Sequence, residues 1–90
     1  MALDRNRRQQ MLWRAHHRGT READMLVGGF ADRWIGEMTE AEARWFEALL
    51  DEQDVDIMAW AFGRGTPPAH LAGEMFERLQ RLDYIRLVER

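Results

Sequence analysis

An all-α fold, a compact bundle of about five helices forming one domain over residues 1–90, is predicted by three features of the chain. Glycine and proline punctuate a sequence that otherwise carries helical periodicity throughout. No segment shows the sustained period-two alternation of β-branched residues that a half-buried strand requires. Thr39 and Glu42 carry a capping-box pattern directly before an apolar run.

The elements follow in order. A first helix is expected from about Leu3 to His17, burying Leu12 and Ala15, with Gly19 near its end. A second, from about Thr20 to Ile35, places Ala23, Leu26, Val27, Phe30 and Trp34 on one stripe and closes at Gly36. Gly28 and Gly29 inside it each cost about 1 kcal/mol relative to alanine. Either another element packs closely there or the helix bends. Thr39 opens a third helix whose buried face is Ala43, Phe46, Leu49 and Leu50. Asp54 is expected to cap a short fourth helix with Ile57, Trp60 and Ala61 inward, ending at Gly63. After a loop from Gly63 to Pro68, Thr66 or Pro67 opens a fifth helix carrying Leu71, Met75, Leu79 and Leu82. Beyond Tyr84 the alternating Arg and Glu continue that helix or fray from it. Connections this short force neighbouring helices to pack against one another.

Composition bounds the function. A chain of 90 residues builds a modest core and encloses a large cofactor cleft with difficulty. It has no cysteine, which removes disulfides, thiolate metal sites and cysteine nucleophiles. No apolar run reaches the roughly 20 residues of a membrane span, and the start lacks the apolar stretch of a secretory signal. A soluble, cytoplasmic protein, monomeric when free, is expected. The net charge of -3 conceals a division: residues 1 to 21 hold six Arg against one Asp, or +5, and the remainder holds seven Arg against fifteen acids, or -8. Every cation is arginine, a bias that favours bidentate contacts to carboxylates and that a GC-rich coding sequence also produces.

Catalytic and metal chemistry find little support. Asp51, Asp54 and Asp56 cluster, but the spacing fails the alternating ligands and central glycine of a calcium loop, and helix capping accounts for them. His16 and His17 are adjacent, diverge by about 100° on a helix and cannot chelate one ion. There is no serine, and Thr20, Thr39 and Thr66 read as helix caps rather than nucleophiles. Neither Gly28-Gly29 nor Gly63-Arg64-Gly65 has the strand-turn-helix setting of a phosphate loop, so no bound cofactor is expected. Most aromatic residues fall on core stripes. Trp13 and Trp45 lie beside theirs and leave aromatic surface for a partner.

The string Arg18-Gly19-Thr20-Arg21-Glu22 stands apart from this pattern. It places a fixed cation, a backbone without Cβ and a carboxylate within about one helical turn. Gly19 either lets a partner's backbone approach or permits a positive-φ connection between helices. Arg18 and Glu22, four apart, are positioned to share a face and present complementary charges. The structural reading of the same residues is a C-cap glycine followed by a helix whose first turn carries a dipole-compensating Glu.

Taken with the run from Thr39 through Trp45 to Asp51, the segment from Asp54 to Trp60, Gly63 and Pro67, this string resembles the succinate dehydrogenase assembly factors, the small helical flavinators. The resemblance extends from about Trp13 to about Leu82. It departs at Ala23, where a bulkier apolar residue is expected, and at Met38 and Met58, where Leu is commoner. It implies a non-enzymatic assembly factor that docks on the flavoprotein subunit of succinate dehydrogenase, and on that of fumarate reductase as a second target, and promotes covalent attachment of FAD to a histidine there. Carried over residue by residue, it implies partner-binding roles for Arg18, Gly19 and Glu22, with Arg21 beside them. Rival readings are a nucleic-acid binder using the basic N-terminal segment and an antitoxin-like interaction protein; the acidity of residues 22 to 90 weighs against the first.

Overall fold

The computed structural model describes residues 3–85, which form five helices and no strand. Helix α1, Arg5–His16, is capped by Asp4, whose carboxylate accepts the Asn6 N–H. Its buried side chains are Met11 and Ala15. The expected Leu12 is only half-buried, because the core-facing stripe lies one residue earlier in the turn.

Helix α2 spans residues 21–34 and is not uniform. Thr20 caps it by accepting the Ala23 N–H, a π-helical turn occupies Asp24–Gly28, and α-helix resumes at Gly29–Trp34 before a 3-10 turn, Ile35–Glu37. Close approach is what Gly28 serves, whereas at Gly29 a Cβ would meet its neighbours at ordinary contact distance. A Cβ on Gly28 would lie 2.5 Å from the His16 ring, and one on Gly29 would lie 3.4 Å from the Tyr84 carbonyl. The widened turn sits where α1 crosses the helix, the kind of adjustment that accommodates an intruding neighbour. Trp34, expected inside, is half-buried, and Arg33 and Arg78 lie over its ring at 3.9 and 4.5 Å.

Helix α3, Glu40–Leu50, begins with the reciprocal capping box foreseen from Thr39 and Glu42. It buries Ala43, Phe46, Leu49 and Leu50, the four residues expected. Helix α4, Asp54–Ala61, starts one residue after its N-cap, which is Gln53. Asp54 therefore does not cap it; its carboxylate is held by Arg18. The fifth element also differs. Pro68 is extended, Ala69–Leu71 form a 3-10 turn, and helix α5 is only Glu74–Arg81, introduced by Gly73 at φ 128°. Leu71 thus reaches the core from the turn, and Leu82 ends the helix in a left-handed conformation. The alternating charges after Tyr84 fall largely outside the described residues.

Phe30 of α2 sits at the centre of the core, with the rings of Trp45, Phe46 and Tyr84 5.2 to 5.8 Å away. Trp45 is half-buried and donates its indole N–H to the Leu71 carbonyl at 2.8 Å, so it fastens the 3-10 turn to α3. Only part of this ring is left exposed, a smaller aromatic surface than at Trp13. Burial, then the neighbouring Asp83 charge, pushes the Tyr84 phenol up, while its hydroxyl donates to the Leu79 carbonyl.

The division of charge along the chain is resolved across α1. Arg7 bridges Glu40 and Glu47 of α3 at 2.6 and 2.9 Å, Arg14 meets Asp51 at 2.7 Å, and Arg18 meets Asp54 at 2.7 Å. The basic segment is thus the counterpart of an acidic face on α3 and α4. Half of the cations on which a nucleic-acid surface would depend, Arg7, Arg14 and Arg18, are already paired with carboxylates. No helix among the described residues is long and apolar enough to cross a membrane.

Candidate partner-binding site

Between α1 and α2 the chain reverses in four residues. His17 leaves helical geometry at φ -129°, Gly19 takes φ 116°, and Thr20 returns to an extended conformation as the cap of α2. A side chain at φ 116° is strained whatever space surrounds it, so Gly19 is required by the connection itself. There is room at that point: a Cβ would meet only the Asp54 carboxylate, at 3.9 Å.

Arg18 locks this reversal. Its Nε donates to Asp54, one terminal nitrogen to the Leu50 carbonyl and the other to the Glu52 carbonyl, each at 2.7 Å. Its backbone N–H donates to Asp24 at 2.6 Å. The two carbonyls lie at and beyond the C-terminal end of α3, where helix carbonyls lack intrahelical donors and a cation is favoured. Asp54 stands at the N-terminal end of α4, where an anion is favoured. One planar guanidinium thereby satisfies the end of one helix, the start of the next and the turn that leads into α2. Lysine has no equivalent fork.

The expectation that Arg18 and Glu22 share a displayed face is corrected by this geometry. The Arg18 side chain is 9% exposed and turned into the protein, and it pairs with Asp54 rather than Glu22. Gly19, Thr20, Arg21 and Glu22 are exposed. Neither Arg21 nor Glu22 forms an ion pair among the described residues. Opposite charges with no partner among the described residues thus stand on a corner held in place from behind. Met25, one turn further along α2, adds an apolar side chain that is 38% exposed.

A cavity of about 550 Å³ opens beside this corner, lined by His16, Asp24, Met25, Asp32 and Asp83 among others. His16 lies 2.9 Å from Asp32, and Arg33, also on the lining, is paired with Glu37 and stacked on Trp34. The carboxylates give the cavity an acidic character that disfavours phosphates. Three contributors to the site carry no signal in the local sequence. Asp54 and the Leu50 and Glu52 carbonyls lie 32 to 36 residues from Arg18. Only the excess of arginine over lysine hints that a bidentate clamp is wanted.

Comparison with known proteins places the whole chain rather than this corner. A family model described as the flavinator of succinate dehydrogenase matches residues 9–83. The chain is 38% identical over 80 residues to the FAD assembly factor SdhE of Acetobacter pasteurianus, an overlap of 89% of this chain and 73% of that protein. To the mitochondrial succinate dehydrogenase assembly factor 2 of Dictyostelium discoideum it is 32% identical over 73 residues, 81% of this chain and 52% of the relative. For the same factor of Scheffersomyces stipitis the figures are 40% over 55 residues, 61% and 37%. The chain spans most of the bacterial relative and about half or less of these two mitochondrial ones.

Proposed function

The chain belongs to the family of succinate dehydrogenase flavinators, and from that premise we propose that it binds the flavoprotein subunit of succinate dehydrogenase and promotes covalent attachment of FAD to that subunit. The flavoprotein subunit of fumarate reductase is a second target. The chain works in the cytoplasm, is a monomer when free, and is not an enzyme: the flavin reacts within the partner.

The observation that carries this reading is the exposed pair Arg21 and Glu22 beside Gly19, unpartnered by described residues and held by a buried clamp. Core packing does not use them. A partner offering a carboxylate to Arg21 and a cationic donor to Glu22 meets both without rearranging the corner, so little ordering entropy is lost on binding. Arg18 acts as a positioning residue behind them. The acidic cavity supports leaving FAD with the partner, since its carboxylates would repel a pyrophosphate.

The factor needs to favour only one arrangement of the partner. Binding the bond-forming conformation about tenfold more tightly than the others, a difference of about 1.4 kcal/mol, enriches that conformation by the same factor. The test is reconstitution: apo flavoprotein subunit, FAD and the purified chain, with covalent flavin read by in-gel fluorescence after denaturation. The expected result is faster flavin attachment with the chain than without it, lost with Glu22→Ala. Equal rates with and without the chain would overturn the proposal.

A further inference from the structure

Four tryptophans occur in the chain, and three of them, Trp34, Trp45 and Trp60, pack against the core. Trp13 does not. It is 63% exposed on the outward face of α1, in line with Asn6, Gln9, Gln10 and His17, all of them exposed. In a chain that is 32% charged, this stripe holds no formally charged side chain when His17 is neutral. An uncharged stripe with a large aromatic at its centre has the composition of an interface core rather than of a solvated helix face.

The indole is also held. The Trp13 and His17 rings stack with centroids 4.2 Å apart and planes 13° from parallel. His17 Nδ1 lies 2.7 Å from the Trp13 carbonyl oxygen. A carbonyl only accepts, so Nδ1 carries the hydrogen, and in the neutral ring Nε2 is left as an acceptor. Ending α1 accounts for the histidine, which satisfies a terminal carbonyl. It gives no reason for an indole on the outside, because any residue at position 13 supplies the same carbonyl.

We propose that the Trp13–His17 stack is the aromatic anchor of the interface with the flavoprotein subunit, entering an apolar pocket whose margin supplies a main-chain N–H to His17 Nε2. This rests on the functional reading above. Continuity selects the occupant: His17 adjoins Arg18, so the clamp that fixes the Gly19 to Glu22 corner also fixes the end of α1. Lack of charge selects its chemistry, since neither an acidic peptide nor a phosphate backbone gains from a neutral stripe. Immobilising the indole before the encounter lowers the entropy lost on docking, and a buried Trp is among the commonest residues to dominate binding.

The experiment measures affinity for the purified flavoprotein subunit by calorimetry, with Glu22→Ala as the reference, and follows 5-fluorotryptophan-labelled chain by 19F NMR. The Trp13 signal is assigned from Trp13→Phe. Trp13→Ala is expected to weaken binding about 30-fold or more with little change in melting, since the side chain is outside the core. His17→Ala is expected to weaken it about fivefold, and His17→Phe, which keeps the stack and loses both ring nitrogens, by less. The Trp13 resonance should show a full H2O-to-D2O solvent shift in the free chain and lose it in the complex. If Glu22→Ala weakens binding while Trp13→Ala binds as wild type, or if the Trp13 resonance keeps its solvent shift when bound, the anchor assignment is wrong and the functional reading stands. If the chain does not bind the subunit at all, both fall.

Discussion

Replacing Arg18 by alanine removes three charge-assisted hydrogen bonds and leaves the Asp54 carboxylate and the Leu50 and Glu52 carbonyls without their donor. Breaking a buried ion pair by deleting one partner costs about 3–5 kcal/mol. Asp54 is 23% exposed, so water recovers part of its solvation and the lower end of that range, about 3 kcal/mol, is expected. For a domain of this size that corresponds to a fall in melting temperature of roughly 12–24 °C. Arg18→Lys keeps the charge but not the fork, and should recover less than half of the loss. Thermal and urea unfolding followed by circular dichroism measure both. A double-mutant cycle with Asp54→Asn should show coupling above about 1 kcal/mol, because the two side chains act on each other directly. A loss below about 1 kcal/mol for Arg18→Ala, or no coupling, would refute the clamp and return Arg18 to the list of residues free to touch a partner.

Two further stability effects follow from the same geometry. Gly19→Ala should destabilise by about 1–3 kcal/mol through backbone strain at φ 116°, with no steric clash; a neutral result in chemical denaturation would contradict the turn. Hydrogen bonds from Arg7 hold the carboxyls of both Glu47 and Glu40 below the ordinary glutamate value of 4.5. Because the folded state then binds fewer protons than the unfolded one, the contribution is fully present above pH 4.5 and is lost as pH falls through the depressed folded values. The difference in melting temperature between wild type and Glu47→Gln should therefore shrink on acidification below 4.5, and a difference constant down to pH 3 would contradict the assigned bridge.

Much of the fold was legible because it is written locally. The Thr39 capping box and the Ala43, Phe46, Leu49, Leu50 stripe lie within one helix, and both appear where the spacing puts them. The close approach at Gly28 was legible as an alternative between packing and bending, and a π turn beneath His16 supplies elements of each. What failed depended on distant partners. Trp45 was expected to leave part of its ring for a partner, but nothing local showed that the Leu71 carbonyl 26 residues away takes its N–H. Asp54 looked like a cap, yet Arg18 claims it. Leu71, Met75, Leu79 and Leu82 fit a helical repeat, but Gly73 at positive φ breaks the helix after Leu71 and confines α5 to residues 74–81. The motif from Arg18 to Glu22 was visible as a unit. Its division into an inward clamp and an outward pair was not, because that requires knowing where the end of α3 lies.

Arg21 and Glu22 are proposed to serve a partner and not the fold. The most direct measurement compares the affinity of wild type, Glu22→Ala and Arg21→Ala for the purified flavoprotein subunit, with melting temperatures recorded on the same samples. Glu22 contributes to stability only through the first turn of α2, about 0.3–1 kcal/mol. Melting temperatures within several degrees of wild type are expected, with binding about 30-fold or more weaker for Glu22→Ala and a smaller loss for Arg21→Ala. Wild-type affinity in both variants, or a loss of binding that only tracks a loss of folded protein, would contradict that role.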